Sequence, residues 1–278
     1  MIRRAFAGLP VSGMAKPGVL ACLLVALAWI PATADARCSI AIDAPEANAL
    51  AAKVWRNESG GDLDKILWWN RGEDFASLGI GHFIWYPAGV DGPFQESFPA
   101  LVAFLSGRGA PMPAWLTQDT APDSPWRTRE EFLDQRDGPK ATQLRRLLID
   151  TVALQAEFMV ARLEAALDAM LATLPASRAA VIESRFCALA ATPAGRYALV
   201  DYVNFKGEGI KPEERYAGQG WGLEQVLEEM RDQPPANVDF ADAAARVLER
   251  RVRNAPPERR EQRWLPGWMR RVDSYRGD

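Results

Sequence analysis

Histidine is almost absent from this chain: of 278 residues only His82 is one, and cysteine occurs three times, at positions 22, 38 and 187. That supply argues against a zinc site built from His and Cys ligands. A Ser-His-Asp hydrolase would have to use His82 itself, which lies in a glycine-bearing apolar segment unsuited to the role. There is no Gly-x-Ser-x-Gly elbow, no P-loop and no Gly-x-Gly-x-x-Gly turn opening a helix. A strong excess of one charge is missing as well, with 33 Lys and Arg against 36 Asp and Glu. This balance supplies neither a nucleic-acid stripe nor a polybasic lipid patch, so neither partner is expected. Runs such as Arg250-Arg251-Val252-Arg253 and Glu258-Arg259-Arg260-Glu261 carry both signs nearby and read as solvated helix faces.

Long hydrophobic runs are also lacking. The uncharged apolar stretch from Val19 to Ile30 falls short of the ~20 residues that span a bilayer. Arg3, Arg4 and Lys16 precede it, Pro31 breaks it, and Ala34-Asp35-Ala36 places small residues where a signal peptidase reads. Residues 1–36 therefore read as a cleaved secretory leader, with Met14 an alternative start and no stable membrane anchor after cleavage. A lipoprotein site at Cys22 fits less well, since most of the apolar run follows that cysteine. The leader holds three of the basic and one of the acidic residues, which leaves residues 37–278 with a net charge near −5. Cys38 and Cys187 remain, and two cysteines in an oxidising compartment suggest one disulfide; two buried thiols are the alternative. A periplasmic or secreted location follows.

What the chain does have is helix-forming sequence nearly throughout. Ala47, Leu50, Ala51, Val54 and Trp55 mark one face of a helix over Ala44–Ser59, and Gly60-Gly61 ends it. Residues 62–95 differ, with five glycines, many aromatics and the apolar segment Leu78–Tyr86, and predict strands and turns. A short helix near Ser97–Leu105 and a loop over 107–125 follow. Thr128-Arg129-Glu130-Glu131 is a capping box that starts another helix. Further helices are expected around 140–173, 176–190, 193–204, 219–231, 238–253 and 266–275. The fold class is thus α+β, mainly α: one domain over 37–278, with a β-rich lobe at about 62–95 and a helical lobe at about 97–278.

With histidine and cysteine scarce, carboxylates remain as catalytic groups, and glycoside cleavage needs little else. Glu58 is the first choice. It closes the first helix, where the negative end of the dipole favours a protonated carboxyl, and Trp55 three residues earlier can shield it from water. A general acid requires that protonated form. Many helix ends carry a glutamate with no such role, so the downstream sequence decides.

Asn57-Glu58-Ser59-Gly60-Gly61 is followed by Ser77-Leu78-Gly79-Ile80-Gly81-His82. The pairing resembles the phage-type members of the lysozyme superfamily, in which a glutamate ending the first helix precedes a hairpin strand of Thr/Ser-x-Gly-x-Gly-His pattern. The glutamate followed by Ser-Gly is also similar to the lytic transglycosylase branch. The resemblance covers roughly residues 50–86, and Tyr202-Val203-Asn204-Phe205 is faintly similar to a transglycosylase Tyr-Asn motif. It implies a lysozyme-like helical domain with a small hairpin lobe. By the same resemblance Glu58 is the acid, Ser77 orients the attacking water, and His82 braces the hairpin. The pattern's aspartate, six positions before the Ser/Thr, is replaced by Arg71. Asp74, which opens the hairpin strand, is the first substitute and Glu73 the second, with a single-acid mechanism lacking either as the remaining alternative. Glu208, between two glycines, is a reserve that also reads as an ordinary turn.

Aromatic residues crowd the same segment. Trp69, Phe83, Trp85 and Tyr86, with Tyr202 and Asn204, are candidates for binding sugar rings, each ring so covered contributing ~1–2 kcal/mol. Core packing is the competing role for each. Alternation puts Phe83 and Trp85 on one strand face and Ile84 and Tyr86 on the other, so only one set can face a cleft. The expected activity is cleavage of β-linked amino-sugar polymers, peptidoglycan first, by hydrolysis or transglycosylation and without metal or organic cofactor. The alternative is a non-catalytic periplasmic protein that binds glycan or a partner in a degenerate cleft, for which Arg71 is the argument.

Overall fold

The computed structural model of this chain describes residues 38–118 and 122–277. The leader expected over 1–36 lies outside them. Among the described residues no helix is long and apolar enough to cross a membrane.

The first helix, α1 (Ala44–Ser59), has the limits its local signals predict. Asp43 caps it by accepting from the Glu46 N–H, and Gly60 closes it at φ 73°, its N–H reaching the Arg56 and Trp55 carbonyls. Ala47, Leu50, Ala51 and Val54 are buried along its inner face. Three short antiparallel strands follow, β1 (Leu67–Trp68), β2 (Ala76–Leu78) and β3 (Phe83–Trp85), with β2 in the middle. The register sets Trp68 opposite Ser77 and Ser77 opposite Ile84. This row forms one face of the sheet. Leu67, Ala76, Leu78, Phe83 and Trp85 form the other and are buried in the core.

Helices make up the rest: α2 (Phe98–Gly107), α3 (Arg129–Asp134), α4 (Pro139–Asp150), α5 (Val152–Thr173), α6 (Ala176–Ala190) and α7 (Pro193–Lys206). After a two-stranded hairpin, β4 (Arg215–Tyr216) and β5 (Gln219–Gly220), come α8 (Leu223–Glu229), α9 (Ala236–Asn254) and α10 (Leu265–Asp273). The fold is mainly α with a small antiparallel sheet. The α5 helix is its spine, packing against α1, α2, α6 and α7. It also anchors the sheet: buried Gln155 accepts from the Ile80 N–H at 3.0 Å and donates to Leu148 O and Thr151 Oγ1, spanning the break between α4 and α5. Gly79 passes so close to this amide that a Cβ there would lie 2.3 Å from Gln155 Oε1.

Three local departures have physical causes. The stretch 140–173 is broken at Thr151, whose hydroxyl donates back to Leu147 O. The helix expected over 219–231 contracts to α8 because Gly218, Gly220 and Gly222 favour a hairpin and turn, and Gln225 accepts from the Gly222 N–H. At α3, Thr128 accepts from the Glu131 N–H, but the Glu131 carboxylate reaches past it to the Arg127 N–H. Cys38 and Cys187 are disulfide-bonded, tying the segment before α1 to α6 across a separation of 149 residues.

Candidate active site

The end of α1 and the Gly79–His82 turn come together. Asn204 on α7 donates from Nδ2 to Glu58 Oε1 at 3.1 Å and to Gly81 O at 3.2 Å, joining the carboxylate to the glycine-bearing segment. His82 Nδ1 stands 3.7 Å from Glu58 Oε2. The His82 backbone is left-handed at φ 49° and its N–H closes a turn onto Gly79 O, which swings the ring back toward α1. Burial lowers the His82 pKa below its ordinary 6.5, against the opposing charges of Glu58 and Glu73. The imidazole is therefore neutral near pH 7. Its Nε2 is buried and has no hydrogen-bond partner among the described residues.

Glu58 has a second partner with no counterpart in the sequence reading. Arg271 on α10 donates from Nη2 to Glu58 Oε1 at 2.5 Å. The same guanidinium grips Asp201 on α7 with two bonds, at 2.7 and 2.9 Å. Asp201 is fully buried and also accepts from the Tyr275 hydroxyl at 2.6 Å and from Asn57 Nδ2 at 3.2 Å. Burial works against the charge on Arg271, yet Asp201 and Glu58 outweigh it and hold its pKa well above the ordinary value. Arg271 is thus anchored on Asp201 and extends its remaining contact to Glu58. The Glu58 side chain keeps 15% of its surface exposed. Beside it, Met159, Arg162, Val200, Val203, Asn204 and Glu208 line a pocket of about 20 Å³, room for a water molecule but not for a sugar ring.

Asp74 and Glu73, the two candidates for a second carboxylate, stand side by side just before β2. Glu73 is part-buried, accepts from Asn70 Nδ2 at 3.0 Å, and its charge acts on His82. Asp74 is exposed, and both carboxylates act on Tyr86. Both line a separate, wider cleft of about 400 Å³ with Arg71, Arg127 and Arg129. Glu73 is therefore the carboxylate shared between that cleft and the surroundings of His82. Ser77 lies on the same side of the sheet as Trp68 and Ile84 but is itself buried, 4% exposed, and its hydroxyl makes no hydrogen bond among the described residues. Glu208 lines the water-sized pocket.

The sugar-stacking role expected of five aromatics is corrected by their burial. Phe83 and Trp85 are 1% and 0% exposed and pack on Phe158 and Phe98. Trp69, 2% exposed, packs on Phe132 and donates to Glu73 O. Tyr86 packs edge-on to Phe75, and Tyr202 is fully buried with its hydroxyl on Trp221 O. None of these rings has a free face. Trp68 is part-exposed beside Ser77, with its Nε1 donating to Asn70 Oδ1 at 2.7 Å. Asn204 alone of the proposed binding residues touches Glu58.

Comparison with family models, with curated proteins and with solved structures gave no match.

Proposed function

We propose that this chain is an exported glycoside-cleaving protein that acts on β-linked amino-sugar polymers, peptidoglycan first, with Glu58 as general acid. One observation carries the reading: Asn204 joins the Glu58 carboxylate to Gly81, so the helix-end acid stands against the glycine-bearing strand segment. The glycan would run past the part-exposed Trp68, between Glu73 and Glu58, with Ser77 buried in the strand beneath it. The disulfide between Cys38 and Cys187 suits an oxidising compartment.

In this reading Glu58 must exchange its contact with Arg271 for the glycosidic oxygen. The anchoring supports that exchange, because Arg271 keeps both bonds to Asp201 when Glu58 lets go. Freed from Arg271, Glu58 takes up a proton from water and donates it to the leaving oxygen. Glu73 serves as base for a water oriented by Ser77, and a separation of ~6.5–9.5 Å between the two carboxyls would invert the anomeric centre. If Glu73 lies beyond that reach, the sugar's own hydroxyl attacks and an anhydro product results. Neutral His82 braces the turn and transfers no proton.

The test is a zymogram on cell-wall material with mass analysis of the released fragments. Wild type should clear the wall, and Glu58→Gln should lose a factor on the order of 10²–10⁴. Undiminished clearing by the Gln variant removes Glu58 from the mechanism. The ion pair to Arg271 favours a second reading, a non-catalytic glycan-binding protein. Wild type that sediments with insoluble wall without clearing it would establish that alternative.

A further inference from the structure

The wide cleft beside the sheet is lined by six charged side chains, three of each sign: Arg71, Arg127 and Arg129 with Glu73, Asp74 and Glu130. One wall is the turn over 70–74 between β1 and β2, and the other is the chain entering α3. Each wall carries both signs. Among the described residues none of the six makes an ion pair, whether with one another or with any other group. The side chains of Arg71, Arg127, Asp74 and Glu130 make no hydrogen bond either.

The walls are held apart by a buried ring. Trp69 donates from Nε1 to Glu73 O at 2.7 Å on one side. On the other its carbonyl accepts from Arg129 Nε at 3.0 Å, and its ring packs on Phe132. Both walls are thus tied to the same indole, which keeps the cleft open at about 400 Å³, toward the lower end of small-molecule sites. Pro87 and Val90 give it an apolar third side, closed into a turn by the Val90 N–H on Pro87 O.

This charge arrangement selects among ligands. A neutral sugar answers none of the six groups. A simple anion meets three carboxylates along with the three guanidiniums, and a simple cation meets the reverse. Only a ligand of both signs is answered throughout. A free amino acid carries ammonium and carboxylate on one carbon, whereas the guanidiniums and carboxylates here stand beyond ion-pair distance of each other. An extended peptide separates its two ends by ~3.3–3.6 Å per residue, so two or three residues suit a cleft of this size.

We infer that the cleft binds a short peptide with free ends, its carboxylate received by Arg71 and Arg127 and its ammonium by Asp74 and Glu130. Guanidinium forks match a carboxylate bidentately, and carboxylates accept the three donors of an ammonium. Walls fixed in advance by Trp69 lower the ordering cost of binding. The inference stands apart from the glycoside-cleaving reading, since none of these four side chains touches Glu58.

The probe is trialanine, titrated calorimetrically into the full chain beside N-acetyl-trialanine, trialanine amide and free alanine. Trialanine should bind about tenfold or more tightly than any of the other three, the worth of one hydrogen bond to a charged group. Arg71→Gln/Arg127→Gln should erase the preference over the amide and keep that over the acetylated form. Asp74→Asn/Glu130→Gln should do the converse. All four side chains are exposed and unbonded, so both variants should melt with wild type. No binding of trialanine, equal binding of a blocked form or of alanine, or preferences that survive the substitutions would each overturn the peptide site. Wall clearing by wild type reports the proposed function separately, so clearing without trialanine binding removes the peptide site alone.

Discussion

Arg271→Met tests the energetic hierarchy on which the proposed chemistry depends. The substitution removes two bonds to Asp201 and one to Glu58. Glu58 keeps water access and Asn204, so it is left tolerably solvated. Asp201 is fully buried and is left with only the Tyr275 hydroxyl and Asn57 Nδ2 around its charge. Breaking a buried pair from one side costs about 3–5 kcal/mol. That is a large share of the ~5–15 kcal/mol that holds a domain together. At roughly 2–4 °C per kcal/mol for a domain of this size, the melting temperature should fall by about 6–20 °C. Urea unfolding followed by circular dichroism gives the free energy directly. The companion Asp201→Asn/Arg271→Met protein removes the stranded charge and should recover part of the loss. Glu58→Gln, by contrast, leaves the Asp201–Arg271 pair whole and should cost no more than about 1.5 kcal/mol. If Arg271→Met were as stable as wild type, or the double variant less stable than the single, Asp201 would not be the anchor of Arg271. The releasable contact to Glu58 would then lose its basis.

Two further outcomes are expected. His82 is the only histidine, so one imidazole signal in a proton NMR titration reports it, and its midpoint should lie below 6.5 because burial disfavours the cation. The unfolded chain then binds more protons than the folded one, so this residue makes stability fall as pH drops below 6.5 and level off beneath the folded pKa; His82→Gln should flatten that stretch of the curve, and an unchanged curve would contradict it. Gly79→Ala should cost at least about 2 kcal/mol, from the left-handed backbone at φ 69° and from collision with the Gln155 amide that holds Ile80. Gly60→Ala, equally left-handed but with nothing within 4 Å of the new methyl, should cost only about 1–2 kcal/mol, and chemical unfolding of the pair separates packing from backbone strain.

The limits of α1, the strand-and-turn character of 62–95 and the helical remainder were legible because their causes are local. An Asp cap, a glycine able to take positive φ, and periods of 3.6 or 2 residues are each written within a few positions of where they act. The pairing of Cys38 with Cys187 was legible for a different reason, since two cysteines leave one partner each. Which ring beside the sheet is buried was not. Alternation separates Trp68 from Trp69, but only α5 and the core beneath β2 decide which one is buried. The same holds for Glu73 and Asp74, of which the fold part-buries the first and exposes the second. Arg271 lies 213 residues from the carboxylate it touches, and Asp201 becomes its anchor only when α7 and α10 meet at the end of α1. Local signals determine where an element begins and ends. Ion pairs and ring contacts act over a few ångströms between residues far apart in the chain, and only the packed helices bring those residues within that range.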